Sequence, residues 1–417
     1  MPDTGSRNES ASRRQNAHLT YKGNRDVGRH GWLRLTPAYS VRLVRQHVAG
    51  LPPSAVVTDP FSGTGTTALA AAEHGCAGQA LDVNPFLVWL GRAKTASYST
   101  DVVAQARADA AAVVKLAADR AGAAGLWQPP LHRIDRWWSL GVLEALKAIR
   151  STLDELPAGP AHDLLLVGLC RTVIATSNAA FDHQSMSFGP TGPDDGSAPD
   201  DEIRPVLDTY AVQTATVIGS AAVDLPGRAR IELGDSRSMD AGLAPCDLLF
   251  TSPPYVNRMS YIRELRPYMY WLRFLDDAAG AADLDWTAIG GTWGTATSRL
   301  MSWQPSRPLP IDDRLARTTG AIERDGGRSG PVLARYVHKY FEDMALHVCA
   351  AHDAVRAGGR ATYIIGNSTF YGHMVPAQDW LAVLLADAGF TDVSVRRIRK
   401  RSSKKELYEY EVTATRS

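Results

Sequence analysis

The sequence predicts an α/β fold: a doubly wound, mostly parallel sheet that carries a helical insert and, later, an irregular second insert. Three features predict it. The apolar run Ala55–Val57 passes through a turn of Gly, Ser and Thr into the Ala-rich segment Thr67–His74, and then into a second run, GQALDV at 78–83. Strand, glycine turn, helix and strand in that order form the first half of such a sheet. Residues 100–180 carry helical periodicity in three stretches, and the later runs ARIELG, DLLFT and ATYIIGN have the length and apolarity of buried strands.

Taken in order, residues 36–49 (TPAYSVRLVRQHVA) place apolar positions at helical spacing behind a Thr-Pro start, which predicts a helix. After the strand–turn–helix–strand unit come three helices, DVVAQARADAAAVVKLAADRA, SLGVLEALKAIRSTLDEL and AHDLLLVGLCRTVIATSN, and then the loop GPTGPDDGSAPDD with clustered Pro, Gly and Asp. Strands follow at 229–234 and 247–251, and residues 276–330, holding GGTWGTATSR and ERDGGRSGP, read as irregular. VLARYVHKYFEDMALHVCAAHDAVRAGG reads as a long amphipathic helix with a Gly-Gly stop. The strand ATYIIGN, the helix VPAQDWLAVLLADAGF and two closing antiparallel strands at 391–399 and 406–413 complete the chain. No internal repeat is present. The expected organisation is a disordered lead (1–20), the first part of the core (21–99), a mostly helical insert (100–225), core again (226–275), an irregular insert (276–330) and the last part of the core (331–417).

Composition narrows the function classes. Hydrophobic residues make up 45% of 417, enough for a real core. No apolar run approaches the roughly 18–20 residues that span a bilayer. The opening MPDTGSRNESASRRQN lacks the apolar region of a secretory signal, so a cytoplasmic location is expected. Cys76, Cys170, Cys246 and Cys349 form no CxxC pair and sit in or beside apolar stretches, which predicts buried free thiols and no metal site. A net charge of +1 excludes a chain that is basic throughout, but Arg396–Lys405 holds seven Lys or Arg and no acid. A local basic face is enough to grip a phosphate backbone, and the alternative is a solvated strand edge.

Asp59-Pro-Phe-Ser-Gly-Thr-Gly-Thr-Thr67 lies between strand and helix. Gly63 and Gly65 let the backbone turn tightly and approach a ligand, while Thr66 and Thr67 are expected to cap the helix, with N–H groups facing that ligand. Asp82 ends the next strand, 17 residues after Gly65, where a carboxylate can accept from both hydroxyls of a ribose. The spacing is not the dinucleotide G-x-G-x-x-G, and the Walker lysine is missing. The full string DPFSGTGTT with its later acid resembles the cofactor motif of the DNA amino-methyltransferase family (N4-cytosine and N6-adenine). That resemblance implies a Rossmann-like methyltransferase sheet and the cofactor S-adenosylmethionine. On it, Asp59, Phe61, Gly63 and Gly65, with Ser62 in the same turn, hold the methionine end, Asp82 the ribose, and Asp235 of LGDS lies near the adenine. HGWLRLTPAYSVRLV resembles the family's helix-start segment, which puts Thr36 and Pro37 at the methionine end. The resemblance covers roughly residues 30–95, 230–275 and 333–415.

Thr251-Ser-Pro-Pro-Tyr255 follows the apolar DLLF. Pro-Pro cannot continue a ladder, so the chain leaves the sheet in a stiff corner at the edge where such folds bind ligands. The Ser252 hydroxyl and the Pro253 carbonyl can accept from an amine, Pro254 stiffens the corner, and the Tyr255 ring can stack on a base. An exocyclic amine shares its lone pair with the ring. Two acceptors on its N–H groups favour a more tetrahedral nitrogen that can attack an activated methyl, so positioning supplies much of the catalysis. TSPPY resembles the family's Asp/Asn/Ser-Pro-Pro-Tyr motif, and its serine form resembles the N4-cytosine enzymes more than the N6-adenine ones. An RNA methyltransferase acting on guanine N2 is the main alternative, a non-catalytic cofactor fold is another, and small-molecule or protein substrates make up the rest.

A base inside a duplex must be flipped out to reach the sheet edge, so double-stranded DNA is the expected partner, together with cognate restriction or defence proteins. Arg258, Arg263 and Arg266 follow the corner and are candidates for nucleic-acid contact or for internal ion pairs. Arg171, Asn178, His183 and Gln184 in the first insert are base-reading residue types. In the second insert Trp286, Trp293 and Trp303 are interleaved with Arg299 and Arg307, either for recognition or as a miniature core.

Overall fold

The computed structural model describes residues 21–33, 39–180, 187–188, 199–257, 260–291, 295–401 and 405–417. The expected lead at 1–20, and Thr36, Pro37, His183, Gln184, Arg258 and Trp293, lie outside the described residues.

After two 3-10 turns, helix α1 (Val41–Val48) leads to strand β1 (Val56–Asp59), α2 (Thr66–Glu73), β2 (Ala77–Asp82) and α3 (Pro85–Thr95). The first insert contributes α4 (Thr100–Arg120), α5 (Leu140–Asp154), α6 (Pro160–Ala175), the hairpin β3 (Ala179–Ala180) and β4 (Ser187–Phe188), and α7 (Pro199–Ala221). The core resumes with β5 (Arg228–Leu233), β6 (Cys246–Thr251) and α8 (Tyr261–Trp271). The second insert holds α9 (Ala278–Thr287), α10 (Thr295–Ser302) and α11 (Asp312–Asp325). The chain ends with α12 (Gly330–Ala354), β7 (Val355–Gly366), the hairpin β8 (Ser368–Phe370) and β9 (His373–Val375), α13 (Ala377–Asp387), β10 (Phe390–Lys400) and β11 (Tyr408–Arg416).

Seven strands form one sheet in the order β10-β11-β7-β6-β1-β2-β5. Every neighbouring pair from β5 to β7 is parallel, and β11 runs antiparallel to both β7 and β10. The doubly wound α/β sheet predicted from the sequence is therefore present. Period-2 alternation sends Leu248, Phe250 and Ile364 to the face covered by α1 and α2, and Leu249, Ala361, Tyr363 and Ile365 to the face covered by α12 and α13. From β1 the chain winds outward through β2 to β5, then returns to place β6 on the other side of β1. The C-terminal ends of β1 and β6 are thus adjacent at the point where the strand order reverses.

Several sequence expectations need correction. The first α-helix among the described residues starts at Val41, capped by Ser40, whose hydroxyl accepts from the Arg42 N–H; the expected Thr36-Pro37 start lies outside the described residues. Of the expected loop at 189–201, residues 189–198 lie outside the described residues, and Pro199 already begins α7, whose Tyr210, Thr214, Val217 and Ala221 line up at helical spacing and are buried. Residues 276–330 are largely helical: Asp277 caps α9, and Leu315, Thr319 and Ile322 of α11 recur at spacings of four and three on the buried side. The Gly-Gly stop is a bulge in β7. Val355 pairs with Cys246 and Arg360 with Leu248, and Gly358 between them takes φ +76°. Three cysteines are buried free thiols, whereas Cys349 is exposed because it sits one residue round α12 from buried Val348. No helix among the described residues is long and apolar enough to cross a membrane.

Candidate active site

The turn after β1 is built by its own backbone. Gly63 and Gly65 take φ of +50° and +75°, Gly65 N–H donates to the Ser62 carbonyl (2.8 Å), and Ser62 N–H donates to the Leu81 carbonyl on β2 (2.9 Å). Gly65, not a threonine, is the N-cap of α2, and it must be glycine on two counts: its left-handed φ, and a Cβ there would stand 3.3 Å from Gly91 Cα. Thr66 and Thr67 are the first residues of the helix, and Thr67 Oγ1 donates to the Phe250 carbonyl of β6 (3.2 Å).

Asp82 closes the turn from the side. Its oxygens accept from Gly63 N–H and Asn84 N–H, each at 2.9 Å, and burial pushes its carboxyl up to about 7 despite those bonds. From below, Lys94, fully buried, donates to the Thr64 carbonyl (2.8 Å), and burial lowers its ammonium to about 7.

The Ser-Pro-Pro corner leaves β6 beside this turn. Asp59, at the end of β1, is fully buried and accepts from Thr251 Oγ1 (2.5 Å), Tyr39 OH (2.9 Å) and Phe61 N–H (3.0 Å). Burial pushes its carboxyl up, against the pull of those donors. Ser252 Oγ donates to the Ile364 carbonyl of β7 (2.9 Å) and also meets the Tyr255 hydroxyl, and a hydroxyl oxygen has two lone pairs with which to accept. Tyr340 OH donates to the Pro254 carbonyl (2.7 Å), and the Tyr255 N–H donates to the Tyr261 hydroxyl (3.2 Å).

One cleft joins the two segments and encloses about 1060 Å³ out to its open mouth. Of the residues singled out from the sequence, Phe61, Ser62, Gly63, Thr66, Asp82, Asp235, Ser252, Pro253, Pro254 and Tyr255 line it. Asp59, Gly65 and Thr67 do not: they lie behind the wall and shape it. Asp235 reaches the cleft already held by Arg237, which contacts it at 2.6 Å and also bridges to Asp343. Burial raises the Asp235 carboxyl, but the Arg237 hydrogen bonds and charge outweigh this and hold it low.

Helix α8 forms the opposite wall through Tyr261, Glu264 and Leu265, spaced three and four residues apart on one face. Arg263 and Arg266 do not line the cleft, because their positions on the helix turn them away from that face; Arg263 is exposed and Arg266 half-buried. Sequence reading also missed Tyr39, Asn84 and the segment Thr287–Ile289. The Asn84 signal was legible: an Asn-Pro helix start directly after the strand-ending Asp82. The contribution of Thr287–Ile289 had no local signature. It arises because Ser260, the N-cap of α8, donates to buried Asp285 of α9 (2.6 Å) and draws the second insert against the corner.

Other recognition candidates are engaged internally. Arg171 donates to the carbonyls of Gly31 (2.9 Å) and Trp32 (2.8 Å). Trp286 lies under Arg299 and Lys339, and Trp303 packs on His338. In the basic run, Arg396 pairs with Glu411, Arg399 with Glu409 and Lys400 with Glu406.

No protein-family model and no curated protein matches the sequence. Two solved structures of the rRNA methyltransferase aviRa from Streptomyces viridochromogenes, at 1.5 and 2.4 Å, align over 91% and 92% of this chain and 86% and 89% of theirs. Identity is 10% and 11%, with a TM-score of 0.29 for each. At that TM-score the overlay is loose, and the architecture described above rests on the chain's own strand order.

Proposed function

We propose that this chain transfers a methyl group from S-adenosylmethionine to the exocyclic N4 of a cytosine flipped out of double-stranded DNA. The observation that carries the reading is the convergence of DPFSGTGTT and TSPPY on one cleft, fastened by the Asp59–Thr251 hydrogen bond.

The residues present fit the cofactor. Ser62 lines the cleft at 2% exposure, and its buried Oγ has no hydrogen-bond partner among the described residues. An orphaned buried hydroxyl calls for a polar ligand atom. Asp82, fixed by two backbone N–H groups, keeps acceptor capacity for a ribose diol. When bound, S-adenosylmethionine supplies a methyl activated by a sulfonium. The chain's own part is to orient the target: Ser252 Oγ and the Pro253 carbonyl accept from the amine N–H groups while Tyr255 stacks on the ring. The nitrogen would gain the methyl as the methyl–sulfur bond breaks with its electron pair going to sulfur, leaving a neutral thioether, and the nitrogen would release one proton to solvent.

The test is incubation with tritium-labelled S-adenosylmethionine and either unmethylated DNA or RNA, followed by digestion to nucleosides and chromatography. The expected product is N4-methylcytosine from DNA. N6-methyladenine would move the reading to the other base, label in RNA N2-methylguanine would move it to RNA, and label in neither would end it.

A further inference from the structure

The basic run near the C-terminus reads, in sequence, as a surface for phosphates. Two of its arginines instead reach the corner. Tyr255 OH donates to Glu409 Oε1 (2.8 Å), and Glu409, at 4% exposure, is gripped by Arg399 through two contacts of 2.7 and 3.1 Å. The Arg401 guanidinium lies over the Tyr255 ring, 5.1 Å from its centroid. Arg401 is itself fixed: it donates to the carbonyls of Asn367 and Tyr408 and lies flat on Gly366, where a Cβ would stand 2.6 Å from Cζ. With the Tyr255 N–H on Tyr261, the ring is held at its backbone, its hydroxyl and one face.

Resting on the methyltransferase reading above, we propose that Glu409, Arg399 and Arg401 on the β10–β11 ribbon are positioning residues for Tyr255. They fix its ring angle and cover one face, so that a single face is left for the target base. The chemistry favours this arrangement. A phenol fully donated to a carboxylate cannot rotate away, and a cation on one face of a ring is attracted to its π cloud while blocking a second stack there. The ribbon pairs with β7 and not with β6, so this brace reaches the corner from the C-terminal strands, independently of the Asp59–Thr251 link.

The experiment has two arms on the full chain. In the first, the protein is labelled with 3-fluorotyrosine and the Tyr255 signal is assigned by its loss in Tyr255→Phe. Wild type should give one sharp resonance, while Glu409→Gln and Arg401→Met should shift or broaden it, with their melting temperatures close to wild type. In the second, methyl transfer to unmethylated DNA is measured. Tyr255→Phe and Glu409→Gln should each lower kcat about tenfold, with S-adenosylmethionine Kd and DNA KM within about twofold, and the double variant should be no slower than either single. Losses that multiply, losses confined to KM or Kd, or an unmoved fluorine signal overturn the proposal. A wild type that methylates no nucleic acid sinks the functional reading instead, and the fluorine arm then still decides whether the brace exists.

Discussion

Thr251 Oγ1 stands 2.5 Å from Asp59 Oδ1, and this contact ties the last residue of β6 to the last residue of β1. It joins positions 192 residues apart in the chain, and the two candidate motifs begin on either side of it. Asp59 was expected to touch a ligand. Its carboxylate is instead turned inward, where three donors satisfy it and keep the glycine turn and the proline corner in fixed relation.

Thr251→Val tests that link with little change in shape. Removing one donor from a fully buried carboxylate should cost about 1–3 kcal/mol, read as a lower denaturant midpoint with unchanged slope. Methyl transfer should fall more than cofactor affinity, because the turn survives while the corner loosens. An unchanged midpoint would show that the contact carries no energy.

Asp82 predicts a pH dependence of cofactor binding. On the proposed role a ribose donates to the ionised carboxylate, and burial pushes that carboxyl up to about 7 in the folded chain, from its ordinary 3.8. Affinity should therefore rise with pH to about 7 and then level, with Kd at pH 6 roughly tenfold weaker than at pH 8. For stability the sign is opposite. Between the unfolded and folded values the native state binds more protons, so this group's contribution falls as pH rises from about 4 to 7. Calorimetric titration at pH 6, 7 and 8 measures the binding part, and Asp82→Asn should flatten and weaken it.

Gly65→Ala forces a side chain into a left-handed backbone and toward Gly91. The expected cost is about 1–2 kcal/mol, with cofactor affinity falling because the turn must reshape. Wild-type affinity in this variant would show that the turn does not hold the ligand.

Lys94 is a buried ammonium held by one carbonyl, that of Thr64. Its folded value of about 7 lies below its ordinary 10.5, so the unfolded chain binds more protons between the two, and wild-type stability gains as pH rises through that window. Lys94→Met removes this gain. The stability difference should move in favour of wild type by about 1 kcal/mol per pH unit above 7. Parallel pH–stability curves for the two proteins would contradict it.

The strand–turn–helix–strand unit was legible because every signal in it is local: apolar strands, positive-φ glycines and an alanine-rich helix within 30 residues of one another. The cleft's two main motifs were legible for the same reason. Residues whose roles depend on distant partners were not. Glu409 lies 154 residues from Tyr255, and Arg399 and Arg401 read as surface charge until the β10–β11 pairing turns them toward the corner. The helices of the second insert were hidden by glycines that sit mainly between them, at 290, 291, 326 and 327. Composition there outweighed the Leu315–Thr319–Ile322 spacing that forms the buried side of α11.

Arg29 sets an order on how the molecule assembles. Its guanidinium donates to the carbonyls of Lys94 and Ala96 at the end of α3, and to those of Ser220, Ala221 and Val223 at the end of α7. Three of those acceptors are made only after the ribosome has added some 190 further residues. The amino-terminal segment can therefore dock on α3 early, but its anchoring is completed only once α7 has been made. A chain stalled before α7 would expose that segment to proteases that the finished protein resists.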